Sequence, residues 1–429
     1  MRYQQCLTLA AFGALFCTAC KKDKESDPPQ IAITSPFDGL SQTVPDTFSV
    51  IATITDDKGP INGSVVVVNS NGIPIGPTLG FSGDGTSRNI NFAYPVVGEQ
   101  IPNGNYTLRV SATDGENTTN AFRSISVTGL PLRFRGLFAT TAGGSVFKVD
   151  SVLNVSTLGS FGQDVNDAAI SSRLQLLFLA GAQNGPLTAI DVNTGTTRWQ
   201  VPNDNISGTP YFTYCTVNDD LPRMLIGRNS GTLHVLNPAY GSNITTLTVS
   251  PGRAAVLGLI TDANVLSVER QTPLPITRFT TRSSSGDMIL METIIDQVVE
   301  EMFQRDDDHV LVFGNNNNAG VVLDLNFTLG GGFEPHTFSQ GEIKEVARVD
   351  DNTYLIALPN GIVRYTYNPD QVSSVSSIVP EHIAYDAVSG MLFASTGSML
   401  HVLDATTGYE EATIALPSIP LKLLVLLNR

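Results

Sequence analysis

Cysteine is scarce in this 429-residue chain: there are four, and three of them fall within the first twenty residues. Only Cys215 lies beyond, so no disulfide framework is available and burial of apolar surface has to hold the fold. Its stretch, "YFTYCTV", is β-rich, with the thiol as a small buried hydrophobe. Charged residues are also few, at 15 % of the chain, and acids exceed bases by 40 to 25, for a net charge of -15. Such a chain offers no basic face to a phosphate backbone, which excludes nucleic acid as a generic partner. Long apolar runs of helical period are missing. So are a Gly-x-Ser-x-Gly elbow, a His-Glu-x-x-His helix and a phosphate-binding glycine loop. Catalytic sites of those kinds are thereby excluded; sites assembled from distant segments are not.

What is present points to strands. Gly (38) and Pro (24) are abundant, and Val, Ile, Thr, Leu and Phe occur in short runs between turn residues, the pattern of an all-β protein. The length exceeds one ordinary domain and predicts two or more units.

"MRYQQCLTLAAFGALFCTAC" opens the chain with one Arg, an apolar run from Cys6 to Phe16 and small residues before Cys20. It is too short for a spanning helix and reads as a secretory signal over residues 1–19. "FCTAC" resembles a bacterial lipobox, with Thr18 and Ala19 at the small positions and Cys17 where Leu is usual. The resemblance implies cleavage before Cys20 and lipidation of its thiol, which ties the protein to a membrane. Residues 20–30, with "KKDKESDPP", form a solvated tether. They are similar to the Lys-plus-acidic export signal of Bacteroidota surface lipoproteins. That similarity implies an outer-membrane lipoprotein exposed at the cell surface, with a periplasm-facing orientation left open.

Residues 31–128 form the first folded unit. "FSVIATITDDKGPI" and "NYTLRVSATDGEN" alternate and then turn, which places Tyr106, Leu108 and Val110 on an inner face. These phrases resemble the immunoglobulin-like or fibronectin type III-like modules of bacterial surface proteins. Related cadherin-like modules hold calcium through loop carboxylates, which makes Asp56, Asp57 and Asp114 calcium candidates. The plainer reading is that they form turns and cap local backbone.

From residue 130 the chain repeats itself. "VFKVDSVLNVS", "TAIDVNTGTT", "LHVLNPAYGSN", "VVLDLNFTLGG", "VRYTYNPDQVS" and "LHVLDATTGYE" each set Asp or Asn after an apolar strand and before a turn. With a degenerate copy near Thr280, the anchors Asp150, Asp191, Asn237, Asp324, Asn368 and Asp404 recur at steps of 36 to 46 residues. "EMFQRDDDHVLVFGNNN" and "EVARVDDNTYLIALPNG" align without a gap as the first two strands of such a unit. The pattern resembles the quinoprotein-type (PQQ-like, YVTN-type) repeat and implies a seven-bladed β-propeller over 130–429. No inner strand precedes Arg135–Thr140, and "IPLKLLVLLNR" is left over after the last unit. The expectation is that this strand completes the first blade and closes the ring, burying two apolar blade faces.

Quinoprotein enzymes add larger insertions, charged cofactor contacts and commonly an adjacent Cys pair, none of which occurs here, so no quinone cofactor is expected and Asp191 reads as a turn former. "RDDDH" at 305–309 aligns with "VDDNT" as a hairpin turn rather than a metal cluster. His234 and His401 share one repeat position; His309, His336 and His382 are isolated. The loops joining second to third strands are short and rich in Asn and Gly, with few titratable groups for acid–base chemistry. Their polar residues are the candidates for a ligand-binding face: Arg228, Asn229, Glu269, Arg270, Asn315, Asn316, Asn317, Asn318 and Asn360. The expected function is a non-enzymatic binding or adhesion scaffold at the cell surface, for a protein or glycan partner. The alternatives are an extracellular propeller enzyme of the lactonase or glycan lyase type, and an envelope assembly factor. Replacing Cys20 by Ser should move the protein from the membrane to the soluble fraction and abolish incorporation of labelled palmitate; label retained in the variant would place the lipid elsewhere.

Overall fold

The computed structural model describes residues 27–428 apart from 71, 99–100, 206–207 and 272–275. Cys20 and the apolar segment before it lie outside the described residues. Every regular element among the described residues is a β-strand, so the protein is all-β. The chain divides into two compact units, Met1–Pro131 and Leu132–Arg429.

In the first unit, Gln30–Ser35, Asp46–Thr55 and Ser87–Val96 make a three-stranded sheet. Leu40–Thr43, Thr118–Thr128, Gly104–Thr113, Ile61–Val68 and Leu79–Gly83 make a five-stranded one, in that spatial order. Alternation along each strand sends one set of side chains inward. Val50, Ala52 and Ile54 of one sheet and Val65, Leu108 and Val110 of the other belong to a single buried cluster. Leu40–Thr43 pairs in parallel with Thr118–Thr128, whereas the other pairings are antiparallel. The Tyr106 hydroxyl donates to the Pro102 carbonyl at 2.9 Å, tying the start of Gly104–Thr113 to the turn before it.

Among its described residues the second unit has seven four-stranded antiparallel sheets. The first contains Phe134–Thr140, Ser145–Val149 and Val155–Ser160, and its innermost strand is Lys422–Leu427. The second runs Val165–Ser171, Leu176–Gly181, Leu187–Asp191, Thr197–Val201, and the third Phe212–Asn218, Arg223–Arg228, Thr232–Leu236, Asn243–Thr248. The fourth is Arg253–Ile260, Asn264–Gln271, Thr277–Ser283, Ile289–Ile295, and the fifth Val298–Gln304, His309–Asn316, Ala319–Asn326, Gly332–Phe338. The sixth is Glu345–Arg348, Thr353–Leu358, Gly361–Thr366, Gln371–Ser376, and the seventh His382–Asp386, Met391–Thr396, Met399–Asp404, Glu410–Ala415. The inner strand of each sheet lies against that of the next, and Lys422–Leu427 lies against both His382–Asp386 and Val165–Ser171. The inner strands therefore close a ring. Sheets repeated radially around an axis in this way define a β-propeller.

Second strands are apolar on both faces because each sheet is covered on both sides; Leu176–Gly181 is buried at all six positions. A buried apolar cluster fills each junction between consecutive sheets. Leu137 and Leu423 pack against Phe393 and Leu400 of the seventh sheet, while Phe138 and Leu426 pack against Leu177 and Leu179 of the second.

The repeated turn has one geometry. Asp191 Oδ1 accepts the N–H groups of Asn193 and Thr194 at 2.9 and 3.0 Å, and Asp404 Oδ1 those of Thr406 and Thr407 at 3.0 and 2.6 Å. Gly195, Gly241 and Gly408 complete it with φ of 68°, 68° and 72°, where a side chain is disfavoured. Two anchors shift. In the fifth sheet Asn326, not Asp324, caps the turn, taking the N–H groups of Thr328 and Leu329 at 3.0 and 2.7 Å. Asp324 instead is buried beside Arg305 and Tyr367. In the fourth sheet Ser283, three residues past Thr280, takes the role by accepting the Ser285 N–H at 3.3 Å. Deleting residues 421–429 should lower the melting midpoint of the second unit by about 10 °C or more, because two apolar clusters lose a wall; melting equal to the full chain would contradict closure by this strand.

Candidate functional site

The face residues named from sequence do not form one patch. Arg228 lays its guanidinium over the rings of Tyr211 and Phe212, 5.3 and 5.8 Å from their centroids. Asn229 bonds Asn205 and Thr209 through its amide at 3.1 Å each. Asn317 and Asn318 adopt φ of 51° and 65° in a two-residue hairpin turn, a geometry that Asn tolerates. Asn315 joins two sheets: its Oδ1 accepts the Ile343 N–H at 2.7 Å and its Nδ2 donates to the Ile343 carbonyl at 2.9 Å. Asn360 stands exposed in the turn that joins Thr353–Leu358 to Gly361–Thr366.

Glu269 is the clearest departure, because it is fully buried. In "NVLSVERQ" Val265 packs against the third sheet, and period-two alternation turns Ser267 and Glu269 the same way. Glu269 meets Arg282 at 2.5 Å and accepts from Ser267 at 3.1 Å, with both partners fully buried. The Tyr214 phenol faces this ionic layer and is pushed up, first by burial and then by the Glu269 charge.

Of the calcium candidates, Asp114 commits its oxygens to its own turn, accepting the Glu116 and Asn117 N–H groups at 2.7 and 2.6 Å, and these bonds hold its carboxyl below the usual range. Asp56 is raised, by desolvation first and then by the Asp114 and Asp57 charges. No group of three or more His, Cys, Asp or Glu side chains among the described residues is placed to hold a metal ion. The "RDDDH" segment is a turn, with Asp306 accepting the Asp308 and His309 N–H groups at 3.0 and 2.8 Å. His234 and His401 both bond outer-strand partners, Asn243 at 3.2 Å and Glu410 at 2.7 Å.

The structure assembles two places that loop reading does not reach. The first involves the inner strands themselves. Asp167 accepts the Lys422 ammonium at 2.6 Å and the Cys215 N–H at 2.8 Å. Glu345 accepts the Ile383 N–H at 2.7 Å, with His382 Nδ1 at 3.4 Å from the same oxygen. Burial works against the Lys422 charge, but Asp167, at 2.6 Å, holds its ammonium above the usual range. Glu301 is pushed up to about 7, by desolvation first, with Glu345 and Asp167 adding repulsion against the pull of Lys422 and the Met302 N–H. The Cys215 thiol is buried and unpaired, and burial pushes it well up, so it has no thiolate character. These residues sit on strands tens of residues apart in sequence, which is why no local motif announces them.

The second is a cleft of about 510 Å³ where the fourth and fifth sheets meet. It brings together Arg270, Asn315, Asn316 and Asn317 from the candidate set, with Ile294 and Val298 from the flanking strands and Asp296 and Gln297 from the linker between them.

No protein-family profile and no curated protein matches the chain. Solved structures do. The β-propeller domain of Cps50 (Swd1) from Myceliophteria thermophila has a TM-score of 0.47 at 11 % identity, covering 66 % of this chain and 96 % of that one. BamB from Moraxella catarrhalis has 0.43 at 13 %, covering 69 % and 90 %. The WD40 β-propeller domain of Doa1 has 0.44 at 13 %, covering 62 % and 86 %. These are likenesses of fold.

Glu301 gives a pH test. Its pKa is raised on folding, so its contribution to stability is full below the unfolded value near 4.5 and is lost as pH rises through about 7. Between pH 4.5 and 7.5 the wild type should lose about 3 kcal/mol relative to Glu301→Gln. Parallel stability–pH curves for the two proteins would refute the placement of this carboxyl.

Proposed function

We propose that the chain is a lipid-anchored outer-membrane protein whose seven-bladed propeller binds a protein or glycan partner without catalysing a reaction. One observation carries the reading: the ionisable groups that converge on the inner strands are tied into the fold. Asp167 and Glu345 each hold a backbone N–H of the neighbouring inner strand, at 2.8 and 2.7 Å, so both carboxylates serve the packing of the ring. Cys215, a protonated thiol, is no nucleophile. The cleft between the fourth and fifth sheets presents loop amides, a guanidinium and aliphatic side chains, which suits recognition.

The first unit reads as an immunoglobulin-like spacer. Its two-sheet strand order and the Tyr106–Pro102 bond at 2.9 Å resemble the tyrosine corner of that fold. Cys20 would carry the lipid, and the tether and spacer would hold the ring away from the bilayer. An assembly role in the envelope is one form of this recognition.

A second reading is favoured by Glu301 and the His382–Glu345 approach at 3.4 Å: an extracellular hydrolase or lyase with Glu301, its pKa about 7, as general base. The two separate experimentally. The full chain is presented to envelope extracts with cross-linking and to a glycan array, and in parallel assayed against lactones and uronic glycans. The recognition reading expects saturable capture and no turnover; turnover that disappears in Glu301→Gln would overturn it.

A further inference from the structure

The outer strand of each propeller sheet leaves one row of backbone groups unpaired within the sheet. Five of these edges, "VSTLGS", "TRWQV", "NITTLT", "QVSSVS" and "EEATIA", are rich in Ser, Thr or charge, and "GFEPHTF" carries Pro335 in its middle. Such edges are blunted against pairing with another chain. The seventh, Ile289–Ile295 of the fourth sheet, reads "ILMETII". On its open face Leu290 and Ile294 are 47 % and 53 % exposed, and Val298 just beyond is 46 % exposed. Its one acid, Glu292, is neutralised by Arg253 at 2.6 Å and Arg278 at 2.9 Å. Charge does not protect this edge.

A separate observation lies at the end of the same strand. Gln297, only 6 % exposed, lines the cleft between the fourth and fifth sheets, and neither its Oε1 nor its Nε2 has a hydrogen-bond partner. A covered carboxamide with both ends unmet costs stability, and native structures rarely keep one without use. Its donor and acceptor match those of a peptide unit. Arg270 on the rim is exposed, and its side chain makes no ion pair or hydrogen bond among the described residues.

We propose that this edge and cleft bind an extended polypeptide segment as a fifth strand of the fourth sheet. The segment pairs along Ile289–Ile295 and sets aliphatic side chains at alternate positions over Leu290 and Ile294. It offers a peptide unit to Gln297 and a carboxylate to Arg270. Asp296 on the same rim opposes a wholly anionic ligand, and the aliphatic strand opposes a glycan. The proposal rests on the recognition reading and names its partner class.

The test uses the full chain against a displayed library of random twelve-residue peptides, with the double variant Leu290→Lys/Ile294→Lys and the single variants Gln297→Leu and Arg270→Ala. Melting curves come first. The lysines and Arg270→Ala replace exposed side chains and should melt with the wild type, while Gln297→Leu removes an unmet buried carboxamide and should melt at the same temperature or higher. Selected peptides should carry aliphatic residues at alternate positions and an acid, and should bind each variant about tenfold more weakly or worse. Failure to select peptides, or equal binding to the lysine variant, overturns the proposal. So does a wild-type dimer that dissociates in the lysine variant, since the occupant is then a second copy. If envelope or glycan capture persists in the lysine variant, this inference fails while the recognition reading stands. If the wild type captures nothing at all, that reading fails.

Discussion

The second unit depends on one strand pairing. Lys422–Leu427 joins Phe134–Thr140 across nearly the whole length of that unit, and without it the first sheet has no inner strand. The pairing supplies more than ladder bonds. Leu423 and Leu426 point into two different apolar clusters, one shared with the seventh sheet and one with the second. The closing strand is therefore a wall of two cores at once. Lys422 extends the closure with a charge, since its ammonium reaches Asp167 on the second sheet. A chain with one internal cysteine has no covalent route to the same constraint.

At five junctions of the ring, polar side chains tie one sheet to the backbone of its neighbour. Gln175 donates to the Leu427 carbonyl at 2.8 Å, Asn166 to that of Phe212 at 2.9 Å and Asn218 to that of Ile260 at 2.9 Å. Thr281 reaches Phe327 at 2.9 Å, and Arg364 reaches Ala405 at 2.6 Å. Each satisfies a carbonyl that the twist of neighbouring sheets would strand. The junction of the third and fourth sheets adds an ionic layer to its Asn218 tie. There Arg282 and Glu269 are buried as an ion pair, and Tyr214, Thr280 and Arg282 each keep a polar atom without a protein partner. Ordered water would satisfy such a layer.

The repeat was legible because each sheet needs the same capped turn and the same twice-covered second strand. Those demands write Asp or Asn and Gly at fixed offsets, as at Asp191–Gly195 and Asp404–Gly408. Where the demand is met by another chemistry the signal slips: Ser283 caps in place of an acid, and Asn326 caps two residues after the more conspicuous Asp324. The site was less legible for a related reason. Loop composition was read, but Glu269 belongs to a strand whose alternation buries it, and Asp167, Glu301, Glu345 and Lys422 come together only when separate inner strands surround one axis. No spacing rule within a single segment encodes that meeting. The unmet Gln297 carboxamide is likewise a property of packing and not of its neighbours in sequence.

Native-state hydrogen exchange reads the central claim most directly, since closure makes the ring a single cooperative unit. Amides of Phe134–Thr140, Leu176–Gly181, His309–Asn316 and Met391–Thr396 should then open in one step, with a common free energy and a common denaturant dependence. If the sheets open one after another, or Phe134–Thr140 exchanges far more easily than the rest, the ring is not held by Lys422–Leu427.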